Sequence, residues 1–143
     1  MSTQKSIIDA LVTAVGDISG VNKVTKDLQA WNQADPNSLS IIYVSMKKEE
    51  GEQANFRHAT SPDIHAVLEI TIQGEIYEQY DTNVETNIDA LMASVEKVIN
   101  SDSALDALLI DIYLESDEYI KVDNHGLFTA VYIADYYYNH LSP

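Results

Sequence analysis

The sequence predicts an α+β domain, a mostly antiparallel or mixed sheet of four to five strands with two helices packed on one face. Three observations carry that expectation. Apolar residues recur with a helical period near the start and in the middle of the chain, they alternate with polar residues in other stretches, and no segment repeats. With 143 residues the chain fits one domain spanning 1–143, large enough to bury about two thirds of its unfolded surface.

Ile7, Ile8, Leu11, Val12 and Val15 fall on one helical stripe, with Ser2 or Thr3 as N-cap and Gly16 at the end. Gly20 to Trp31 places Val21, Val24, Leu28 and Trp31 among polar neighbours and reads as an extended edge segment, followed by a turn at Asp35-Pro36-Asn37. Leu39 to Met46 is rich in β-branched and aromatic residues, the mark of a strand. The stretch from Glu49 to Asp63 has no period, so a long loop is expected over 49–63. Ala66, Leu68, Ile70 and Ile72 then alternate with Glu69, Thr71, Gln73 and Glu75, as in a strand buried on one face.

Thr82-Asn83-Val84-Glu85 matches a capping box and opens a second helix, whose stripe is Ile88, Leu91, Met92, Val95, Val98 and Ile99 and which stops near Asn100-Ser101-Asp102. From Leu108 the period becomes two. Leu108, Ile110, Ile112 and Leu114 are expected to face inward, and Asp111, Tyr113, Glu115 and Asp117 outward. Gly126 precedes a last strand, Leu127 to Tyr138.

Composition narrows the function. There are no cysteines, which removes disulfides and thiolate metal sites. The start of the chain lacks a signal-peptide pattern, and the longest apolar candidate, Ala104 to Leu114, is cut by Asp106 and Asp111; a cytosolic site of synthesis and no membrane span are expected. Eight basic against 23 acidic residues give a net charge of -15, which argues against gripping nucleic acid from outside, because such proteins present Lys and Arg to the phosphates. The same acidity serves solubility.

The search for chemistry returns little. No phosphate-cradling glycine pattern and no nucleophile elbow occurs, and nothing pairs His58, His65, His125 or His140 with a hydroxyl nucleophile. No catalytic residue, cofactor or metal site is therefore assigned. Asp111, Glu115 and Asp117, with Glu118 and Asp123, form the best acidic row for a divalent cation. Alternate strand residues lie about 7 Å apart, so a solvated sheet face explains that row as well. Tyr132, Tyr136, Tyr137 and Tyr138 close the last strand, either as an interface or through strand propensity alone. Lys47, Lys48, Arg57 and His58 gather scarce positive charge near the expected loop, where they reach an acidic neighbour or guard a strand edge.

The order of elements resembles the tail terminator, or tail-completion, proteins of long-tailed bacteriophages, the family of minor tail protein U. The resemblance runs over nearly the whole chain: the Ile7 to Val15 helix, a Gly-Val segment followed by Trp31, strand Ile41-Ile42-Tyr43-Val44, and a charged loop with an arginine. It continues through strand Val67 to Ile76, the Thr82-capped helix closed by Asn100 to Leu105, strand Ile110 to Leu114, and a final strand ending in tyrosines. Two departures stand out. An apolar-Pro pair is replaced by Asn37-Ser38-Leu39-Ser40, and a Gly-Gly pair by Asp106-Ala107.

The resemblance implies a virion protein without catalysis: a homo-hexameric ring that caps the tail tube, stops its polymerisation and joins tail to head. Its partners would be the tail tube protein and a head-completion or connector protein. DNA would pass through without specific binding, and the protein would sit in the virion tail after assembly in the host cytoplasm. An acidic lumen fits such a ring, since phosphate-neutralising contacts would hold DNA in place; Glu69, Glu75, Asp111, Glu115 and Asp117 are the expected lumen residues. Lys47, Lys48, Arg57, Tyr136, Tyr137 and Tyr138 are the expected subunit or partner interface. Other readings stay open: an acidic binding module such as an inhibitor or DNA mimic, another head-tail connector subunit, or an enzyme with an acidic metal site.

Overall fold

Alternating sequence along Asp63–Tyr77 and His125–Asn139 makes two long strands, which pair antiparallel from Asp63↔Asn139 to Tyr77↔His125 and form the centre of the protein. The structure is a computed structural model, and it describes residues 3–21, 23–25, 40–53 and 63–139. In chain order the elements are α1 (Thr3–Gly16), β1 (Lys23–Thr25), β2 (Ser40–Gln53), β3 (Asp63–Tyr77), α2 (Val84–Ser101), α3 (Ser103–Leu108), β4 (Asp111–Val122) and β5 (His125–Asn139). The fold class is α+β. Strands β3, β5 and β4 form an antiparallel unit; β2 pairs antiparallel with the far side of β3, and β1 runs parallel to β2, in the order β1-β2-β3-β5-β4.

The helices cover one face only. Register places Ala66, Leu68, Ile70 and Ile72 of β3 beside Tyr136, Ala134, Tyr132 and Ala130 of β5, and all eight are buried. Ile7, Leu11 and Val15 of α1, Ile88, Val95 and Ile99 of α2 and Leu105 of α3 close the same core. Each fully buried Ile, Leu or Val contributes roughly 1.5–3 kcal/mol, so this layer dominates stability. Two glycines permit the close approach. A Cβ on Gly74 would overlap the Phe128 ring, and one on Gly126 would come within 2.9 Å of Val84 Cγ1.

Several boundaries differ from expectation. Residues 49–53 belong to β2 and pair with β3 as far as Gln53↔Ile64, so only residues 54–62 of the expected loop remain, and they lie outside the described residues. Hydrogen bonding to β3 makes this strand; a run of acids without alternation carries no local sign of it. The capping box does not form. A 3-10 turn, Asp81–Asn83, leads into α2, Asn83 is the N-cap without a side-chain bond, and backbone bonds such as Asn83 N–H to Tyr80 O at 3.1 Å take over. An unforeseen third helix, α3, starts where Asp102 accepts the Leu105 N–H at 2.9 Å, an N-cap.

The β4–β5 hairpin closes in a two-residue turn, Asp123-Asn124, with Asp123 at φ 53, a conformation that Asp tolerates better than most residues. Asn124 donates through Nδ2 to the carbonyls of Glu78 and Gln79 at 2.7 and 2.9 Å, and its own carbonyl accepts the Glu78 N–H at 2.9 Å. Asn87 on α2 donates to the Glu78 carboxylate at 2.6 Å. The hairpin tip is thus fastened to the junction between β3 and α2.

Candidate functional site

The face of the sheet away from the helices is where most of the expected functional residues meet or part. On β5 it carries Leu127, Thr129, Val131, Ile133 and Asp135, all half-buried, because a central strand is shaded by its neighbours even without a covering helix. On β3 it carries His65, Val67, Glu69, Thr71, Gln73 and Glu75. The β4 contribution changes part way along. Asp111 and Tyr113 share this open face, but the register shifts between Leu114 and Ser116, leaving Glu115 as the extra residue of a β-bulge.

That bulge corrects the expected acidic row. Beyond it the alternation reverses: Ser116, Glu118 and Ile120 pair with Val131, Thr129 and Leu127 on the open face, while Asp117, Tyr119 and Lys121 pair with Ala130, Phe128 and Gly126 on the helix-bearing face. Asp117 therefore does not stand with Asp111. Tyr132 gives an independent sign. Its hydroxyl is held well above the usual tyrosine range, first by burial and then by the charges of Glu96 on α2 and of Asp117, both on the covered side. In place of Asp117, the open face gains Glu118, expected in the acidic row but not among the lumen residues, and Asp135, which was not expected there.

Glu75 is also not an open wall residue. It lies on the open face between Ile41 of β2 and Leu127 of β5 in register, yet only 5% of it is exposed. Burial raises its pKa to about 7. Desolvation disfavours the charged form, so near neutrality this carboxyl is neutral about as often as ionised. Glu69 is half-buried on the same strand and Asp111 is exposed on β4. Asp111 and Asp135 pair directly, like charges that would repel. Asp135 has a partner in His65, whose Nε2 is 3.3 Å from Asp135 Oδ1, and Asp111 Oδ1 accepts the Ile112 N–H at 2.9 Å.

The expected tyrosine interface divides. Tyr136 is fully buried and Tyr138 is half-buried against the core, because even-numbered positions of β5 point under the helices; these two are core residues. Tyr137 alone of the three is exposed, beside His65 with ring centroids 5.6 Å apart. Lys47 is the extra residue at a register shift in β2, Lys48 pairs with Glu69, and Arg57 lies outside the described residues.

A cleft of about 220 Å³ lies where α2, α3 and β4 meet, lined by Asp102, Asp106 and Asp111 with apolar Ile99, Leu105 and Ile110. Asp102 is occupied as a helix cap and Asp111 by its neighbour's N–H. Among the described residues no group of three or more ligating side chains is placed to hold a metal ion.

The molecule is an α+β sheet protein with one face sealed by helices; among the described residues no helix covers the other face, which is continuous with the β4 strand. No protein-family model matches the sequence, and no curated protein does. Among solved structures the chain is similar to a chain in the virion of a native gene transfer agent particle, with 13% identity and a TM-score of 0.40 over 96% of this chain and 92% of that one. It is also similar to the sheath/tube terminator of an extracellular contractile injection system in its extended state, with 12% identity and a TM-score of 0.39 over 98% of this chain and 58% of that one.

Proposed function

We propose that this chain is a structural, non-catalytic virion protein of the tail terminator type, a homo-hexameric ring that caps the tail tube, ends its growth and offers a surface to the head connector. The observation that carries the reading is the open face. It joins carboxylates (Glu69, Asp111, Glu118, Asp135) to half-buried apolar residues (Val67, Val131, Ile133), as suits a wall shared with neighbours rather than a substrate pocket. The order of elements along the chain supports it. In this reading Glu69, Asp111 and Glu118 line an acidic channel past which DNA slides, Glu115 stands at its rim, and Asp117 and Glu75 take no part.

The test is light scattering across salt. Each copy carries -15, so long-range repulsion should make assembly weakest at low ionic strength and strengthen it as salt is added. Replacing Glu69, Asp111 and Glu118 by Gln, Asn and Gln should flatten that dependence without dissolving the assembly. A monomer at every salt and protein concentration would contradict the ring, and would leave the acidic binding module as the better reading.

A further inference from the structure

We propose that the outer half of β4 pairs antiparallel with the same segment of a second copy of this chain, about a two-fold axis at Tyr119. This goes beyond the ring reading. A two-fold contact does not by itself close a six-membered ring; it joins copies in pairs, and it can fail while the ring survives.

In strand order β4 is one end of the sheet and, among the described residues, it pairs only with β5. From Glu115 to Val122 every residue is exposed, whichever face of the sheet it points to, and Tyr119, Ile120 and Val122 are among them. An edge of this length without proline is a template for another strand. The hairpin decides which backbone groups it offers. The Glu78 N–H bonds to the Asn124 carbonyl, so even-numbered residues of β5 bond to β3 and odd-numbered ones to β4. His125, Leu127, Thr129 and Val131 thus engage the N–H and C=O groups of Val122, Ile120, Glu118 and Ser116, while Asp117, Tyr119 and Lys121 turn theirs outward.

Charge selects the occupant and the register. Antiparallel pairing sets outward-turned residues against one another. Centred on Tyr119, it places Asp117 against the second copy's Lys121, Lys121 against that copy's Asp117, and the two Tyr119 side by side. All three side chains stand on the same face of the strand, so each charge meets its opposite around an aromatic pair. Centring on Asp117 or on Lys121 would set like charges against each other, and centring on Glu118 or on Ile120 would leave Asp117 without a basic partner. The contact ends at the Glu115 bulge on one side and at the Asp123-Asn124 turn on the other.

The experiment measures self-association by analytical ultracentrifugation in about 0.15 M salt, where repulsion between two copies at -15 each is screened beyond roughly 8 Å. Asp117→Lys and Lys121→Asp each turn both opposite-charge pairs into like-charge pairs and should each weaken self-association about tenfold. These variants change the net charge in opposite directions, so a shared weakening is not a long-range effect. The double variant Asp117→Lys/Lys121→Asp restores opposite charges across the junction and should recover most of the parent strength. Residues four apart on one strand lie about 13 Å from each other, so no contact within a chain supplies that rescue. Both positions are exposed, and all three variants should melt as the parent does when dilute. Single reversals that leave association unchanged, or a double variant no stronger than the singles, overturn the β4 pairing, and a ring that still assembles then stands without it. A protein that stays monomeric at every concentration overturns both.

Discussion

The two faces of the central strands carry the same alternation and have different fates. On β5, Ala134 is sealed under the helices, while Ile133, its neighbour in sequence, sits half-buried on the open side. What separates them is α1 and α2, which the strand does not encode. The covered face holds the fold together; among the described residues no helix covers the other face. Glu75, between β2 and β5 on the side away from the helices, is nonetheless buried, and that burial raises its pKa to about 7.

The largest expected effect lies on the covered face. Ala134→Asp places an unpaired charge at a fully buried position and should cost roughly 3–5 kcal/mol, read as a lower denaturant midpoint with little change in slope. Ile133→Asp next to it should cost about 1 kcal/mol, because its carboxylate can still reach water. Equal losses for the two would erase the distinction between the faces.

The next effect is a pH dependence. The folded-state pKa of Glu75, about 7, lies above its ordinary value of 4.5, so between these values the folded state holds the extra proton. Its contribution is full below about pH 4.5 and is lost as pH rises through 7, by about 3 kcal/mol at most. Glu75→Gln should remove that slope and raise stability at pH 8. A variant whose pH profile overlays that of the parent protein would show that Glu75 is solvated after all.

The smallest effect belongs to the edge. Ile120→Ser and Val122→Thr on β4 should change monomer stability by no more than about 0.5 kcal/mol, since both residues are half-exposed, yet weaken self-association. A thermal shift of several degrees in a dilute sample would mean that β4 belongs to the core.

What was legible in the sequence follows from the range of the physics involved. Helical stripes and strand alternation are local, so α1, α2, β3 and β5 could be placed within a few residues, and the alternation correctly turned Leu68, Ile70, Ile72, Ile112 and Leu114 inward; of the two others expected with them, Ile110 is exposed and Leu108 ends α3, because the strand starts only at Asp111. The helices were rightly expected on one sheet face. The bulge at Glu115 was not readable, because it depends on how β4 meets β5, and it moved Asp117 to the other face. Residues 49–53 became strand through pairing with β3, which no local pattern announces. Other signals were present and unused. Asp102 before Ser103-Ala104-Leu105 is a helix N-cap, and Asp123-Asn124 between two alternating runs is a hairpin turn, which would have shown Tyr119, Ile120 and Val122 to be part of β4. The tyrosines misled because parity, not composition, decides which of them is covered.

Hydrogen exchange, compared between a dilute monomeric sample and a concentrated one, tests the division of labour most directly. The account predicts that amides of residues 115–122 on β4 exchange quickly when dilute and become protected on concentration, while amides of β3 and β5 are slow in both. Unchanged exchange along β4 in a sample that has assembled, or protection of β4 equal to that of β5 in the monomer, would contradict it.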